Sequence, residues 1–284
     1  MDAMSSNKKS KSNSKRSISK LPDVILQRIL SFLPTKDAVK TSVLSRRWEY
    51  LWTSIPNLEF REDSARDNVI PFADRAISLH VSDIKKFTLE CYKDGDEPCI
   101  RRLITAVVRR NVEELEINTD DARDRLLQLP ESLYVSASLT RLDLTICCIL
   151  KFPPSTCLSS LKHLRFKFIK FTDDVSTQQF FSGCPVLETI CFDESVWTNL
   201  CSVGLRAPKL WKLEIIEDQN ERCDPEPEPS DGCEVVIFAP SLRYFDYDGE
   251  FLNDYCIYDS PTLNEAKIHL REVGIELPSI VCKT

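Results

Sequence analysis

The chain has few of the residues from which catalytic and metal sites are usually built. Its 284 residues include six glycines and three histidines, His80, His163 and His269. A Gly-rich phosphate loop needs more glycine than this. No C-x-x-C pair occurs among the twelve cysteines, and alternation along a strand would send adjacent Cys147 and Cys148 to opposite faces, so no zinc site is expected. We therefore predict a protein that is not an enzyme and that holds no metal or cofactor.

Long apolar runs are lacking as well. No apolar stretch approaches the roughly 18 residues of a membrane span, and the amino terminus has no hydrophobic segment of the kind found in secretory signals. The cysteines are accordingly expected to be reduced thiols. The net charge is −7, but residues 1–20 hold six Lys or Arg against one Asp, so the rest of the chain carries −12. This acidic body argues against nucleic acid as the main partner, and no membrane partner is predicted.

Residues 1–17 consist mostly of Ser, Lys and Asn and have almost nothing to bury, so they are predicted to form a disordered basic tail. The basic residues at 8, 9, 11, 15 and 16 suit either a nuclear-import signal or a simply solvated tail. The expected location is the nucleus and/or the cytoplasm.

The clearest signal lies in residues 21–52, which are predicted to form three short helices. Apolar residues recur at helical spacing over 25–33. Pro34 ends that helix because proline cannot donate the next helical hydrogen bond. Thr35 is a candidate N-cap of the second helix, and Ser45 is a candidate N-cap of the third.

The residues alone leave two interpretations of this segment. The apolar stripes suit the core of a small helical unit, but roughly forty residues bury too little apolar surface to be securely stable alone. The segment also has more large apolar groups than one side of such a unit needs. This surplus indicates a face that another chain covers.

The segment resembles a known family in both residue order and spacing. Leu21-Pro22-Asp23, Leu33-Pro34 and Val43-Leu44-Ser45-Arg46-Arg47-Trp48, followed by Leu51-Trp52, are similar to the F-box of plant F-box/leucine-rich-repeat proteins, which are related to F-box/FBD/LRR proteins. The resemblance implies an F-box over 18–60. It also implies docking to a Skp-type adaptor, and through the adaptor to the cullin and RING subunits of a ubiquitin ligase. Residues 61–83 are predicted to be a linker with one helix.

The expected adaptor-binding residues are those of the motif and its apolar stripes. Arg47 is included because the dipeptide Arg46-Arg47 belongs to the motif, whereas Asp23 and Glu49 are interpreted as surface charges. The full set is Leu21, Pro22, Ile25, Leu26, Ile29, Leu30, Leu33, Pro34, Val39, Val43, Leu44, Ser45, Arg47, Trp48, Leu51 and Trp52.

From residue 84 onward, the pattern apolar-x-x-apolar-x-apolar occurs eight times. All 24 of its slots are apolar, and the steps of 21 to 32 residues match the period of leucine-rich repeats except for the longest. Period two at the end of each copy predicts a short strand. Stacked copies predict a parallel sheet on the concave side of a solenoid, with loops or short helices on the convex side. The best candidates for such helices are residues 100–110 and 177–181. The copies begin at Ile84, Val112, Leu139, Leu161, Leu187, Leu210, Leu242 and Leu263.

These repeats resemble the same plant family, most recognisably in Phe181-Ser182-Gly183-Cys184-Pro185-Val186-Leu187-Glu188. The predicted fold class is α/β: a three-helix F-box, then an irregular leucine-rich-repeat solenoid of about eight repeats over 84–284. The acidic, Pro-broken stretch 217–232 explains the longest step and is predicted to be a solvated insertion. Residues 269–284 offer little of the polar cap that a solenoid end needs, so a truncated or partner-capped form is expected.

Side chains between and flanking the buried strand positions, Asp193 among them, are predicted to face outward on the concave surface. Their mixed charges suit a protein partner of complementary charge rather than a small ligand, although a merely solvated sheet face would show the same pattern. The candidate target-binding residues are Arg141, Asp143, His163, Arg165, Lys167, Lys212, Glu214, Tyr244 and Asp246.

The resemblance therefore implies a substrate-recognition subunit of an SCF-type ubiquitin ligase, which acts by holding a target close to the ubiquitin-loaded enzyme. The alternative is a leucine-rich-repeat binding scaffold without ligase function. A third interpretation is an enzyme with a cysteine nucleophile. Against it, residues 201–206 are one residue short of the phosphatase cysteine loop.

Overall fold

The computed structural model describes residues 18–62, 69–91, 97–119, 125–197, 200, 202–217, 233–250, 253–258, 260–270 and 280–283. The predicted basic tail over 1–17 lies outside the described residues. So do nearly all of the predicted insertion and most of the chain after residue 270. Within the described part, no helix has the length and apolar character needed to span a membrane.

The described residues form six α-helices, of which the first two open the chain. Pro22 precedes the first helix, and its carbonyl accepts hydrogen bonds from the amides of Ile25 and Leu26. Pro34 stands in the same position before the second helix, as expected for a residue with no amide to donate. The helices are α1 (Asp23–Leu30), α2 (Thr35–Lys40), α3 (Val69–Leu79), α4 (Glu97–Val108), α5 (Glu131–Tyr134) and α6 (Asp174–Ser182).

The third helix predicted from Ser45 is not an α-helix. Residues 46–50 form turns, and a short 3₁₀-helix follows at Leu51–Ser54. The turns still bring two indoles inward, because the amide of Trp48 donates to the carbonyl of Ser45 at 2.9 Å and the indole of Trp52 donates to the carbonyl of Glu49 at 3.1 Å. Thr35 is likewise not an N-cap but the first residue of α2.

Fifteen strands lie in the described residues. In chain order they are β1 (Asn57–Arg61), β2 (Lys86–Cys91), β3 (Glu114–Thr119), β4 (Arg125–Leu127), β5 (Arg141–Leu150), β6 (His163–Phe171), β7 (Thr189–Asp193), β8 (Val196–Trp197), β9 (Ser202–Arg206), β10 (Lys212–Ile216), β11 (Glu234–Phe238), β12 (Tyr244–Gly249), β13 (Asp254–Tyr258), β14 (Glu265–Leu270) and β15 (Ile280–Lys283).

A large parallel sheet carries the repeats. Its main path runs β1-β2-β3-β5-β6-β7-β10-β12-β14, with β4 beside β5 and β8 beside β6. Each of the eight sequence copies falls on one strand from β2 to β14. In the first seven copies every slot is at most 3% exposed. The eighth copy differs: Ile268 is 47% exposed, because β14 ends the sheet among the described strands.

The large sheet begins one copy earlier than the sequence pattern indicated. Ile55, Leu58 and Phe60 repeat the same spacing 29 residues before Ile84, and all three are buried. β1, which lies at the end of the segment predicted as F-box, therefore pairs with β2 of the first repeat copy. The amide of Glu59 on β1 donates to Oγ1 of Thr35 on α2 at 2.7 Å. One continuous core includes buried residues of both elements.

The second layer changes from helices to strands along the chain. Predicted helices over 100–110 and 177–181 are confirmed as α4 and α6, and the helix predicted in the linker is confirmed as α3. Further along, β9, β11, β13 and β15 form a second parallel sheet. The prediction of loops or short helices is wrong for this half. The segments of β9 and β11 alternate buried and exposed residues with period two, which is the strand pattern.

The two sheets enclose a buried carboxylate at the end of β10. Glu217 accepts hydrogen bonds from the hydroxyls of Tyr247 and Tyr255, both at 2.5 Å, and from the amide of Asn253 at 3.0 Å. Burial, followed by the charge of Glu217, raises the pKa of Tyr255 well above its ordinary value. These donors compensate the loss of water around a buried carboxylate, and they tie the start of the predicted insertion to both sheets.

The cysteines only partly match expectation. Eight described cysteines form no disulfide, but Cys147 is disulfide-bonded, so the prediction of reduced thiols is wrong for that residue. Cys147 and Cys148 were predicted to lie on opposite faces of a strand, and in the structure both side chains are buried. A register shift between Thr145 and Cys148 interrupts the alternation of β5.

Candidate functional site

The first site is an exposed apolar face on the amino-terminal helices. Among the described residues, nine of the eighteen large apolar side chains that are exposed lie within residues 18–50. Val24, Phe32 and Val43 are 72%, 76% and 88% exposed. Concentrated apolar exposure of this kind marks an interaction surface rather than ordinary solvated protein. The apolar face consists of Ile18, Val24, Ile25, Ile29, Phe32, Leu33, Val43, Leu44 and Tyr50.

The structure divides the sixteen predicted adaptor-binding residues into two groups. Five of them, Leu26, Leu30, Trp48, Leu51 and Trp52, are buried in the chain's own core. In the chain by itself these five side chains offer no surface to a partner, whereas their role in adaptor binding stays a prediction. The others are exposed or half-buried, namely Leu21, Pro22, Ile25, Ile29, Leu33, Pro34, Val39, Val43, Leu44, Ser45 and Arg47.

The division follows from how α1 lies on the core. Leu26 and Leu30 point inward, whereas Ile25 and Ile29 stand about 100° around the helix and remain outside. A single broad stripe in the sequence is thus two adjacent faces. Val24, Phe32 and Tyr50 also belong to the outer face and were missed, because only the orientation of α1 reveals that their side chains are left uncovered.

A polar clamp holds this unit together. The guanidinium of Arg47 donates to one carboxylate oxygen of Asp23 from Nε at 2.8 Å and from Nη2 at 2.6 Å. It also donates to the carbonyl of Leu21 at 2.5 Å. Asp23 was interpreted as a surface charge, and the structure shows that this exposed carboxylate has Arg47 as its partner.

The second site is the open face of the large sheet, which the sequence predicted as the concave surface. Parallel pairing in register places its side chains in rows across the strands. We call the two rows used below the rim ladder and the central ladder. The rim ladder is Asn57, Lys86, Glu114, Arg141, His163, Thr189, Lys212, Tyr244 and Glu265. The central ladder is Glu59, Thr88, Glu116, Asp143, Arg165, Cys191, Glu214, Asp246 and Lys267.

Six of the nine predicted target-binding residues line a single concavity of about 370 Å³ on this face. Tyr244 lines an adjoining groove, and Trp211 borders both spaces. Lys167 and Asp246 line neither of these two spaces. The six are Arg141, Asp143, His163, Arg165, Lys212 and Glu214.

Ion pairs already engage several charges of this face. Arg165 and Lys167 contact Asp193 at 2.6 and 3.1 Å. They cover it so well that Asp193, predicted to face outward, is buried. Lys212 contacts Glu214 at 2.7 Å. Lys167 is therefore part of an internal network rather than a free cation.

The titratable groups of the concavity favour binding over acid–base chemistry. Burial foremost, then the charge of Arg141, lowers the pKa of His163, so its imidazole is neutral near pH 7. The ring nitrogen Nδ1 lies 2.9 Å from Oγ1 of Thr189. Burial raises the pKa of the Cys191 thiol to about 11, which keeps it protonated and weakly nucleophilic. Burial also raises the pKa of Asp143. Across the described residues, no three potential metal ligands cluster.

A helical unit with an uncovered apolar face, joined to stacked parallel repeats with a charged open face, defines a binding protein built from two recognition surfaces. Comparison with known proteins agrees. The F-box domain model matches residues 18–60, and the model described as FBD-associated F-box protein At5g56370, LRR repeats matches residues 100–230. Neither of these describes a catalytic domain.

Similar proteins occur in Arabidopsis thaliana. The chain is 32% identical over 278 residues to F-box protein At4g09920, covering 92% of this chain and 82% of that protein. It is 33% identical to FBD-associated F-box protein At4g10400 and 30% identical to F-box/FBD/LRR-repeat protein At4g26340, covering 89% and 90% of this chain and 61% and 60% of those proteins. The chain belongs to the plant F-box/leucine-rich-repeat family.

Membership of this family establishes only what holds for F-box proteins in general. F-box proteins in general act as substrate receptors of SCF ligases, and an F-box implies a Skp-type adaptor. The chain spans 54 to 61% of the length of five of the curated relatives that it matches.

Proposed function

We propose that this chain is a substrate-recognition subunit of an SCF-type cullin–RING ubiquitin ligase. Its apolar face binds a Skp-type adaptor, and the open face of its large sheet binds a target protein. The observation that carries the proposal is the apolar face itself. Half of the exposed large apolar side chains of the described residues lie within residues 18–50, which is also the part matched by the F-box model.

The proposed mechanism is proximity. The apolar face ties the chain to the adaptor, and through it to the cullin and RING subunits. A target on the sheet is thereby held near the ubiquitin-loaded enzyme, which raises the effective concentration of its lysines. No residue of this chain takes part in bond making. We further propose that the protein works in the nucleus and/or the cytoplasm.

Size-exclusion chromatography of the chain co-expressed with a plant Skp-type adaptor tests the adaptor step. We expect co-elution at one-to-one stoichiometry. Phe32→Glu and Val43→Glu should abolish co-elution, since each places a charge in an apolar interface. Both side chains are already exposed, so circular dichroism and the melting temperature should stay unchanged.

Val81→Glu is the matched control, because Val81 is 75% exposed but lies after α3, outside the apolar face. It should bind the adaptor as the unaltered chain does. If the unaltered, folded chain ignores the adaptor, the proposal fails and the alternative of a repeat scaffold without ligase function replaces it. Loss of binding in all three variants would show that the effect is not specific to the face.

A further inference from the structure

A pair of aromatic side chains forms a corner at the rim of the open face. The rings of Trp211 and Tyr244 meet edge to face with centroids 5.8 Å apart. Tyr244 is 41% exposed, and the indole N–H of Trp211 donates to no described residue. The groove beside this pair has a volume of about 580 Å³ and joins the concavity through Trp211. An exposed, rigid aromatic corner with a spare donor is typical of a binding anchor.

Three cations, of which one lines the concavity and two line the groove, form no ion pair with a described residue. Arg141 on the rim ladder, and Lys209 and Arg243 beside the aromatic pair, are exposed and form no ion pair with any described residue. Most other cations of the open face are paired, as Arg165 and Lys212 show. A local set of unpaired cations on a chain of net charge −7 produces a positive patch against an acidic background.

The other polar groups of the groove are occupied. Glu188 pairs with Lys162 at 3.0 Å. The hydroxyl of Ser241 donates to the carbonyl of Pro208 at 2.8 Å, and that of Thr262 donates to the carbonyls of Pro240 and Leu242. The donors left for a ligand are therefore the guanidinium group of Arg243, the ammonium group of Lys209, the Trp211 indole and the Tyr244 hydroxyl in the groove, with the guanidinium group of Arg141 in the concavity. This set favours carboxylates.

The acids of the central ladder restrict where an anion can lie. Asp143, Glu214 and Asp246 stand one row inward from the rim ladder. They repel a carboxylate placed over the middle of the sheet. A negatively charged ligand is thus confined to the rim, along the line from Arg141 to Tyr244.

The length of that line sets the length of the ligand. Arg141 and Tyr244 are four strand steps apart, through β6, β7 and β10. At roughly 4.8 Å a step this is about 19 Å, which an extended chain of about six residues spans.

We propose that this groove, together with the rim of the adjoining concavity, binds an extended, unphosphorylated acidic segment of a target protein. One carboxylate pairs with Arg141. About five residues further along, a large apolar or aromatic side chain packs on the Trp211–Tyr244 corner beside a second carboxylate held by Arg243 and Lys209. This assignment rests on the proposed function, because it names the chemistry of the target that the receptor holds.

Selection from a display library of random ten-residue peptides against the full chain, with adaptor added where the two form a complex, tests the assignment. The enriched peptides should combine Asp or Glu with Phe, Tyr, Trp or Leu at a recurring spacing. An enriched pool without acidic bias, or a pool rich in Lys and Arg, overturns it. Binding by a selected peptide only after phosphorylation, or stronger binding of single-stranded DNA than of any peptide, also overturns it.

Variants then locate the site by fluorescence anisotropy with a labelled selected peptide. Arg141→Gln and Arg243→Gln should each weaken binding about tenfold, and Trp211→Ala should weaken it about 30-fold or more. Arg101→Gln is the matched control, since Arg101 is an equally exposed arginine without an ion pair on α4. An equal loss in the control, or no loss in the groove variants, excludes this site.

Adaptor binding separates the two proposals. If the adaptor co-elutes but selection yields no acidic, apolar peptides, the inference fails and the proposed function stands. If the groove variants lose peptide binding but the chain never binds adaptor, the site is real and the ligase role is wrong.

Discussion

Arg47 and Asp23 join two segments of the F-box that are 24 positions apart in sequence. Two donors of the Arg47 guanidinium meet one carboxylate oxygen of Asp23, in the first turn of α1. An acidic side chain there also interacts favourably with the amino-terminal end of the helix. The pair therefore sets where the turns at 46–50 lie relative to α1, and with them the shape of the apolar face.

Arg47→Ala should weaken adaptor binding more than it weakens the fold. Both partners are partly exposed, so the loss of unfolding free energy should be at most about 1 kcal/mol. Affinity should fall by about five- to tenfold, because the apolar face loses its preorganisation. Isothermal calorimetry with the adaptor and thermal melts measure the two effects. The control Lys40→Ala breaks an exposed pair within α2 and should change neither. Equal effects of the two variants on affinity would show that the clamp has no special role.

Leu26→Ala and Ile25→Ala distinguish core from interface on adjacent residues of α1. Leu26 is fully buried and Ile25 is 44% exposed. Leu26→Ala should lower the free energy of unfolding by about 2–5 kcal/mol, whereas Ile25→Ala should change it by less than about 0.5 kcal/mol yet weaken adaptor binding. Urea unfolding and adaptor titration measure the difference. If Ile25→Ala is the more destabilising of the two, the orientation given to α1 is wrong.

Gly183→Ala should destabilise the repeats by about 1–3 kcal/mol. A Cβ atom at Gly183 would lie 2.4 Å from the backbone carbonyl oxygen of Thr156, which cannot rotate away. Gly204→Ala is the matched control, since its Cβ would meet only the flexible side chain of Gln178 at 3.4 Å. Melting temperatures should fall for the first variant and stay level for the second. A stable Gly183→Ala protein would contradict the close approach of these two segments.

His80 should make the fold sensitive to acid. Its ring is buried, and neither ring nitrogen forms a hydrogen bond of ordinary geometry. Burial first, then the charge of Arg110, lowers its pKa to about 4, although the backbone of Asp83 acts in the opposite direction. The unfolded chain binds a proton below its ordinary pKa of about 6.5, while the folded chain does not. Stability should thus fall as pH drops from about 6.5 to 4, by up to about 3 kcal/mol, and level off below that window.

Urea unfolding of His80→Leu at pH 7, 6, 5 and 4.5 measures this contribution. The variant should show a shallower loss of stability with acid than the unaltered chain. His163→Leu should change the pH dependence less, because that ring is only half-buried and bonded to Thr189. If the unaltered chain and His80→Leu show parallel pH profiles, His80 takes up a proton in the folded chain as readily as in the unfolded chain, and the lowered pKa is wrong.

Local patterns determined much of this protein. Period-two apolar slots placed eight strands of the large sheet, because each strand must bury alternate side chains against the layer beneath. Pro34 marked the boundary between the first two helices, because proline cannot donate the next helical hydrogen bond. The motif residues at 21–52 pointed to the F-box, which the family match supports. The charged side chains that lie between apolar slots, such as Arg141 and Lys212, pointed to the open face.

Tertiary structure decided the rest, because burial depends on which surface another part of the chain covers. Nothing local separates Ile25 from Leu26, and only the docking of α1 leaves one outside. The segment predicted as F-box ends with Ile55, Leu58 and Phe60. Pairing with β2 places Leu58 and Phe60 in a strand, and Ile55 precedes it. Asp193 was predicted to face solvent, but its ion pairs with Arg165 and Lys167 cover it. The sequence alone determined which residues are apolar and at what period; packing between distant segments determined which of them remain available to a partner.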